Sequence, residues 1–104
     1  MIISDVTAIV LRLPEVTDAC DGTQDTCLIR VETDAGIEGW GEVDSCPTVV
    51  KAIVDAPLSH QICNGLANAL RGEDPLAIEV CADRMLSAAN YYGRSAVGLH
   101  TMAG

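Results

Sequence analysis

Four acidic side chains fall within one short stretch: Glu15, Asp18, Asp21 and Asp25. Carboxylates grouped this way can hold a cation, exchange protons, or accept hydrogen bonds from hydroxyl groups. The spacing Asp18-x-x-Asp21-Gly22-x-x-Asp25 lacks the alternating ligands of an EF-hand loop, and no Glu closes it, so calcium is set aside. No basic residue follows within the stretch until Arg30. It is either a solvated acidic loop, the ordinary state of a surface loop, or one whose polar groups meet a ligand rich in hydroxyls.

The other chemically capable residues form no motif. Cys20, Cys27, Cys46, Cys63 and Cys81 contain no Cys-x-x-Cys pair and no zinc-ribbon spacing. His60 and Cys63 can share one helical face, but two ligands do not make a metal site. An odd cysteine count without a visible secretory leader fits free thiols that pack as small apolar groups.

The elements that must position these residues come from a small chain. Its 104 residues suit a single domain over 1–104, able to bury about two-thirds of its unfolded surface. Hydrophobic residues make up 49% and Phe is absent, so the core must be aliphatic. With 15 acidic and 6 basic residues the formal charge is −9, which argues against nucleic acid or an anionic membrane as partner. No apolar run is long enough to cross a bilayer, and no basic segment followed by an apolar core opens the chain. A cytoplasmic location is the default expectation.

Ile2 to Leu13 is rich in β-branched and aliphatic residues and stops at Pro14, which predicts a first strand. Pro14 to Gln24 lacks apolar periodicity and reads as a loop. From Cys27 to Thr33 the pattern alternates, with Cys27, Ile29 and Val31 on one face. Asp34-Ala35-Gly36 supplies a tight turn, and Ile37 to Val43 returns as a third strand. Gly39 and Gly41 lie on its inner face, where bare backbone predicts close packing by another element.

After Val43 the period changes to about 3.6. Ser45 is expected to cap a short helix with Pro47 in its first turn and Val49, Val50, Ile53 and Val54 as its stripe. A second helix is expected from about Ser59, carrying Ile62, Leu66 and Leu70 and ending at Gly72. Asp74-Pro75 predicts the start of a third, burying Ile78, Cys81, Ala82, Met85 and Leu86. Asn90 to Arg94 reads as a turn. A further apolar segment runs from near Ser95 to Gly104 without capping residues, as expected of a chain cut within a helix. The fold class is therefore α+β: a three-stranded antiparallel meander followed by three to four helices.

Three phrases occur in order along this layout. They are Gly36-x-x-Gly39-x-Gly41-Glu42, Gly72-Glu73-Asp74-Pro75, and Tyr92-Gly93-Arg94 leading through His100 to Gly104. Together they resemble the N-terminal capping domain of the mandelate racemase/muconate lactonizing branch of the enolase superfamily, over nearly the whole chain.

The resemblance implies the smaller part of a two-domain enzyme. In that family three carboxylates of a (β/α) barrel hold Mg²⁺, and Lys or His residues move a proton next to a substrate carboxylate. That barrel is missing here, so neither a catalytic residue nor a metal ligand is carried over to this chain. The cap closes the barrel with two loops, which by position are Pro14 to Thr26 and Asp44 to Thr48. The candidate substrate contacts are Asp18, Asp21, Gln24, Asp25, Ser45 and Thr48.

An acidic loop repels the carboxylate end of a substrate and can accept from hydroxyls at the other end, which favours a sugar acid and a dehydratase over a racemase or cycloisomerase. The expected partners are the barrel, a small carboxylate and further copies of the chain in a homo-oligomer. The fragment alone is expected to be inactive. The alternative is a stand-alone binding or oligomerisation module with the same fold and no catalysis.

Smaller assignments follow. Glu42 is expected to play a structural part near the second loop, His60 to lie at the surface, and Arg94 to pair with a carboxylate or a helix C-terminus. Tyr91 and Tyr92 are expected to pack against the barrel at a domain boundary with their hydroxyls toward solvent.

Overall fold

The computed structural model describes residues 1–19 and 24–104. Strand β1 spans Ile3–Arg12, β2 Asp25–Thr33 and β3 Glu38–Val43; helices follow as α1 Pro47–Asp55, α2 Leu66–Leu70, α3 Ile78–Ala88 and α4 Val97–Ala103. The strands form one antiparallel sheet in the order β1-β2-β3. This is the expected α+β layout.

The register follows from the alternation. Val6 pairs with Val31, Ala8 with Ile29 and Val10 with Cys27, while Cys27 and Ile29 pair onward with Val43 and Gly41. One face therefore collects Val6, Ala8, Cys27, Ile29 and Val43, all buried, and a register shift between Ile3 and Asp5 keeps Ile3 in the same core. Gly36 takes φ 75° in the β2–β3 turn, a conformation that favours glycine, and the Thr33 N–H donates to the Ile37 carbonyl.

Helix α1 packs on β1 and β2, and α2 packs on β1 and α1. Val50, Val54, Ala67, Leu70 and Cys81 join the strand residues in one cluster. Lys51 of α1 donates to the Ala8 carbonyl at 3.0 Å and pairs with Asp55 at 2.8 Å, so its ammonium is satisfied beside the sheet edge. The edge of β1 is continued by exchange with the residues after α2. Gly72 N–H donates to the Ile3 carbonyl and Ile3 N–H to the Glu73 carbonyl.

Five helix expectations need correction. Ser45 does not cap α1; the N-cap position is Cys46, in a left-handed conformation and without a side-chain cap bond. Within α1, Val50, Ile53 and Val54 are buried but Val49 is exposed. The second helix does not start at Ser59. His60 and Cys63 close a tight bridge there, and only Leu66–Leu70 is helical. Gly65 explains the late start: a Cβ there would lie 2.1 Å from the Ala56 carbonyl oxygen, so the backbone must pass close to the end of α1 before it can turn.

Asp74 organises a turn instead of capping α3. Its Oδ1 accepts from the Leu76 N–H at 2.9 Å, and α3 begins at Ile78. Ile78 is 72% exposed although it lines an apolar cavity, so the buried residues of α3 are Cys81 and Ala88, with Ala82, Met85 and Leu86 half-buried. This cavity, of about 390 Å³, lies between α3, α4 and the sheet. A second, of about 250 Å³, opens between Met85, Leu86, Leu99 and Met102.

Candidate functional site

Antiparallel pairing decides where the two loops lie. Arg12 at the end of β1 faces Asp25 at the start of β2, and Cys27 faces Val43 at the end of β3. The segment between β1 and β2 and the segment after β3 therefore rise from the same end of the sheet. Thr26 joins them, since its hydroxyl donates to Glu42 Oε1 at 2.8 Å. A depression of about 280 Å³ at this end is lined by Leu11, Arg12, Leu13, Gln24, Asp25 and Thr26.

Several candidate side chains are already engaged. Gln24 clamps the first loop: its Oε1 accepts from Thr17 N–H at 2.9 Å and its Nε2 donates to the Thr17 carbonyl at 2.7 Å. Leu13 N–H adds a bond to the Gln24 carbonyl. Asp25 forms an ion pair with Arg12 at 3.0 Å. Asp18 and Thr48 are exposed, and Asp21 lies outside the described residues. Ser45 lies in the second loop, where its hydroxyl meets His100 Nδ1 of α4 at 2.8 Å.

Arg12, Thr26 and His100 are not among the expected site residues, although each holds a loop at this end. The strand register alone is enough to point to the first two. It does not reach His100, which is 55 residues from Ser45 with no periodicity to link them.

The seat of α4 explains that contact. Gly41 faces the last residue of the chain so closely that a Cβ on it would lie 1.7 Å from the Gly104 carbonyl oxygen. The expected close approach is thus found at Gly41, whereas Gly39 has open space at the same face. Thr101 is buried and donates its hydroxyl to the Val97 carbonyl at 2.6 Å, satisfying it within α4.

The remaining polar residues serve the frame. Glu42 accepts from Thr26, and His60 stacks edge-on against Tyr91. The Tyr92 hydroxyl does not keep its expected place toward solvent, since it donates to the Asn64 carbonyl. Burial raises the pKa of the Tyr92 phenol, so it stays a donor. Arg94 Nε donates to the Leu86 carbonyl at 2.8 Å, in the last turn of α3. Burial likewise raises the Cys27 and Cys81 thiols, which makes them packing groups rather than nucleophiles.

Among the described residues, no three His, Cys, Asp or Glu side chains come together as a metal site. No helix among the described residues is long and apolar enough to cross a membrane.

Comparison with known proteins bears on this arrangement. The N-terminal domain of mandelate racemase / muconate lactonizing enzyme matches residues 6–102. No curated protein matches the chain. Among solved structures, a predicted mandelate racemase from Rhodobacter sphaeroides is 31% identical over 96% of this chain and 25% of its own, with a TM-score of 0.76.

An isomerase from Streptomyces coelicolor A3(2) is 30% identical over 99% of this chain and 26% of its own, with a TM-score of 0.68. A racemase from the same organism, with bound magnesium, is 27% identical over 93% of this chain and 28% of its own, with a TM-score of 0.66. The chain thus spans about a quarter of the length of the structures it matches. On the family match over nearly its full length, the chain belongs to the mandelate racemase / muconate lactonizing enzyme N-terminal domain family.

Proposed function

We propose that this chain is the capping, substrate-selecting domain of a larger enzyme that removes a proton next to a carboxylate. The observation that carries the reading is that both loops rise from one end of the meander. A lid needs this geometry, because two loops from opposite ends could not close over one pocket. The catalytic groups and Mg²⁺ belong, on this reading, to a barrel domain outside these residues. Magnesium would stabilise the enediolate there.

The chain's own share is recognition. Asp18 is exposed on the first loop and Thr48 in the first turn of α1, Asp21 lies between them in sequence, and Ser45, Gln24 and Asp25 hold the loop bases. Carboxylates on the first loop repel an anionic substrate end and accept from hydroxyls, which favours a sugar acid and dehydration over racemisation or cycloisomerisation. A homo-oligomer in the cytoplasm completes the proposal.

The test is an assay of the product of the uninterrupted gene against a panel of sugar acids, with and without EDTA. Turnover that needs metal, and is absent from residues 1–104 alone, is the expected result. Turnover by the 104-residue chain unaided would overturn the reading, as would a full-length product inert toward every carboxylate.

A further inference from the structure

Asp44, Ser45 and Cys46 are all that separate β3 from α1. This connection is short and bent. Cys46 sits at φ 42° and ψ 70°, a left-handed conformation that a residue with a Cβ enters only when its surroundings impose it. Its carbonyl accepts from both Val49 and Val50, so it starts α1 without help from a side-chain cap. Ser45, the residue that local sequence chemistry would assign to capping, is committed elsewhere.

Its partner is a firm anchor. Helix α4 packs on α1 and against β3. Gly104 lies against Gly41 and the Val43 side chain, and Gly104 N–H donates to the His100 carbonyl at 3.2 Å. His100 therefore offers Nδ1 from a seated helix to a hydroxyl on a strained loop, at 2.8 Å. A serine hydroxyl can donate to a bare Nδ1 or accept from a protonated one, so either tautomer sustains the contact.

We propose that the Ser45–His100 bond is a positioning strap that fixes the second loop, and through it the shape of the pocket the cap covers. Ser45 and His100 are positioning residues. This assignment rests on the capping reading. It gives Ser45 a different task from direct substrate contact, and leaves Thr48 as the exposed polar group that the strap aims.

The chain itself provides the first test, by amide hydrogen exchange and backbone NMR of Ser45, Cys46, Thr48 and Val49. S45A and H100A should shift the same amides and speed their exchange by a few-fold to about tenfold, the equivalent of one lost hydrogen bond. Exchange at Ile29 and Val54 should stay unchanged. The double variant should match either single one, because both remove one bond. H100N, whose amide group reaches the place of Nδ1, should restore the loop, and H100Q, which reaches the place of Nε2, should not.

Additive effects, uniform acceleration across the core, or equal behaviour of H100N and H100Q would overturn the strap. Should H100A fail to fold, the contrast between H100N and H100Q decides alone. In the full-length product the same variants should change KM or substrate preference while kcat holds. A strap upheld by exchange but without any effect on KM would instead overturn the role assigned to it, and with it the capping reading of this loop.

Discussion

The sheet and α1 on one side, and α3 with the turn that leads into it on the other, use similar aliphatic residues to opposite ends. In the first region Cys27 and Val50 are fully covered, and Val54, Val43 and Ile29 nearly so. In the second, Ile78 and Leu76 are 72% and 76% exposed, and apolar cavities of about 390 and 250 Å³ remain between the helices and the sheet. The difference lies in what each element packs against. Strand pairing holds β1, β2 and β3 at fixed spacing, so α1 can pack closely on part of the inner face. Helix α3 is held mainly by α2 and meets no such regular surface. A region finished on its own is thus joined to one with apolar surface to spare. On the capping reading, that surplus is where further polypeptide would gain most by packing.

One substitution applied on both sides gives the largest contrast. Ile53→Ala in α1 removes a buried side chain and should cost about 2–5 kcal/mol. Ile78→Ala in α3 removes a mostly exposed one and should change stability by less than about 0.5 kcal/mol. Urea denaturation of the two variants measures both. Equal losses would mean that α3 is as tightly packed as α1.

The opposite substitution sharpens the same point at smaller scale. Ala67 is 4% exposed within the main cluster, so Ala67→Leu overfills it and should destabilise by about 1–3 kcal/mol. Ala82 borders both cavities, and Ala82→Leu should stabilise by about 0.5–2 kcal/mol. The thermal midpoint should move down for the first and up for the second. A fall for both would show that the cavity cannot receive the added volume.

This contrast also accounts for what is legible in the sequence. Alternation in Cys27–Val31 and the glycine after Asp34-Ala35 act locally, so they place the strands and the turn. That placement carries the loop ends with it, and the end of the sheet where the candidate site lies follows from the alternation alone. The helical half depends on contacts distant in sequence. Ile62, Leu66 and Leu70 keep helical spacing, yet Gly65 must slip past the Ala56 carbonyl, and that need is invisible in a local window. Ile78 fits an apolar stripe and lines the cavity beside the sheet, yet it stays 72% exposed because no neighbour fills that space. Ser45 has the chemistry of a cap and is drawn away by His100, a long-range pairing that no local pattern encodes.

Thiol chemistry separates the two regions more finely. Cys46 is exposed, Cys81 lies in the loosely packed half, and Cys27 is sealed under the sheet. Alkylation should proceed in the order Cys46, Cys81, Cys27, with Cys81 reacting through local opening and Cys27 only through global unfolding. Burial raises both buried thiols above the ordinary value of 9.0. The folded state therefore favours the protonated thiol, and the stability this contributes is complete below pH 9.0 and is lost as pH rises through the folded value. Cys27→Ser should flatten that alkaline fall. Labelling of Cys27 as fast as Cys81 would erase the distinction between the regions.

The smallest effect belongs to the seam between them. Asp5 of β1 accepts from Arg71 Nε and NH2 at 3.1 and 2.7 Å, joining the sheet to the end of α2. That hydrogen bond lowers the Asp5 carboxyl below its ordinary 3.8. Its contribution to stability is present above the unfolded value and is lost as pH falls through the folded one. Both side chains are nearly half exposed, so solvent screens the pair and limits it to about 1 kcal/mol or less. Asp5→Asn should therefore remove a small part of the stability gained as pH rises from below the folded value past 3.8, by about that amount, and leave a flatter acid limb. High salt should shrink the difference between the two proteins, because screening acts on an exposed pair and spares a buried one. A loss of several kcal/mol instead would mean that the seam is a structural joint as firm as the sheet, and that the division into a tight and a loose half stops short of α2.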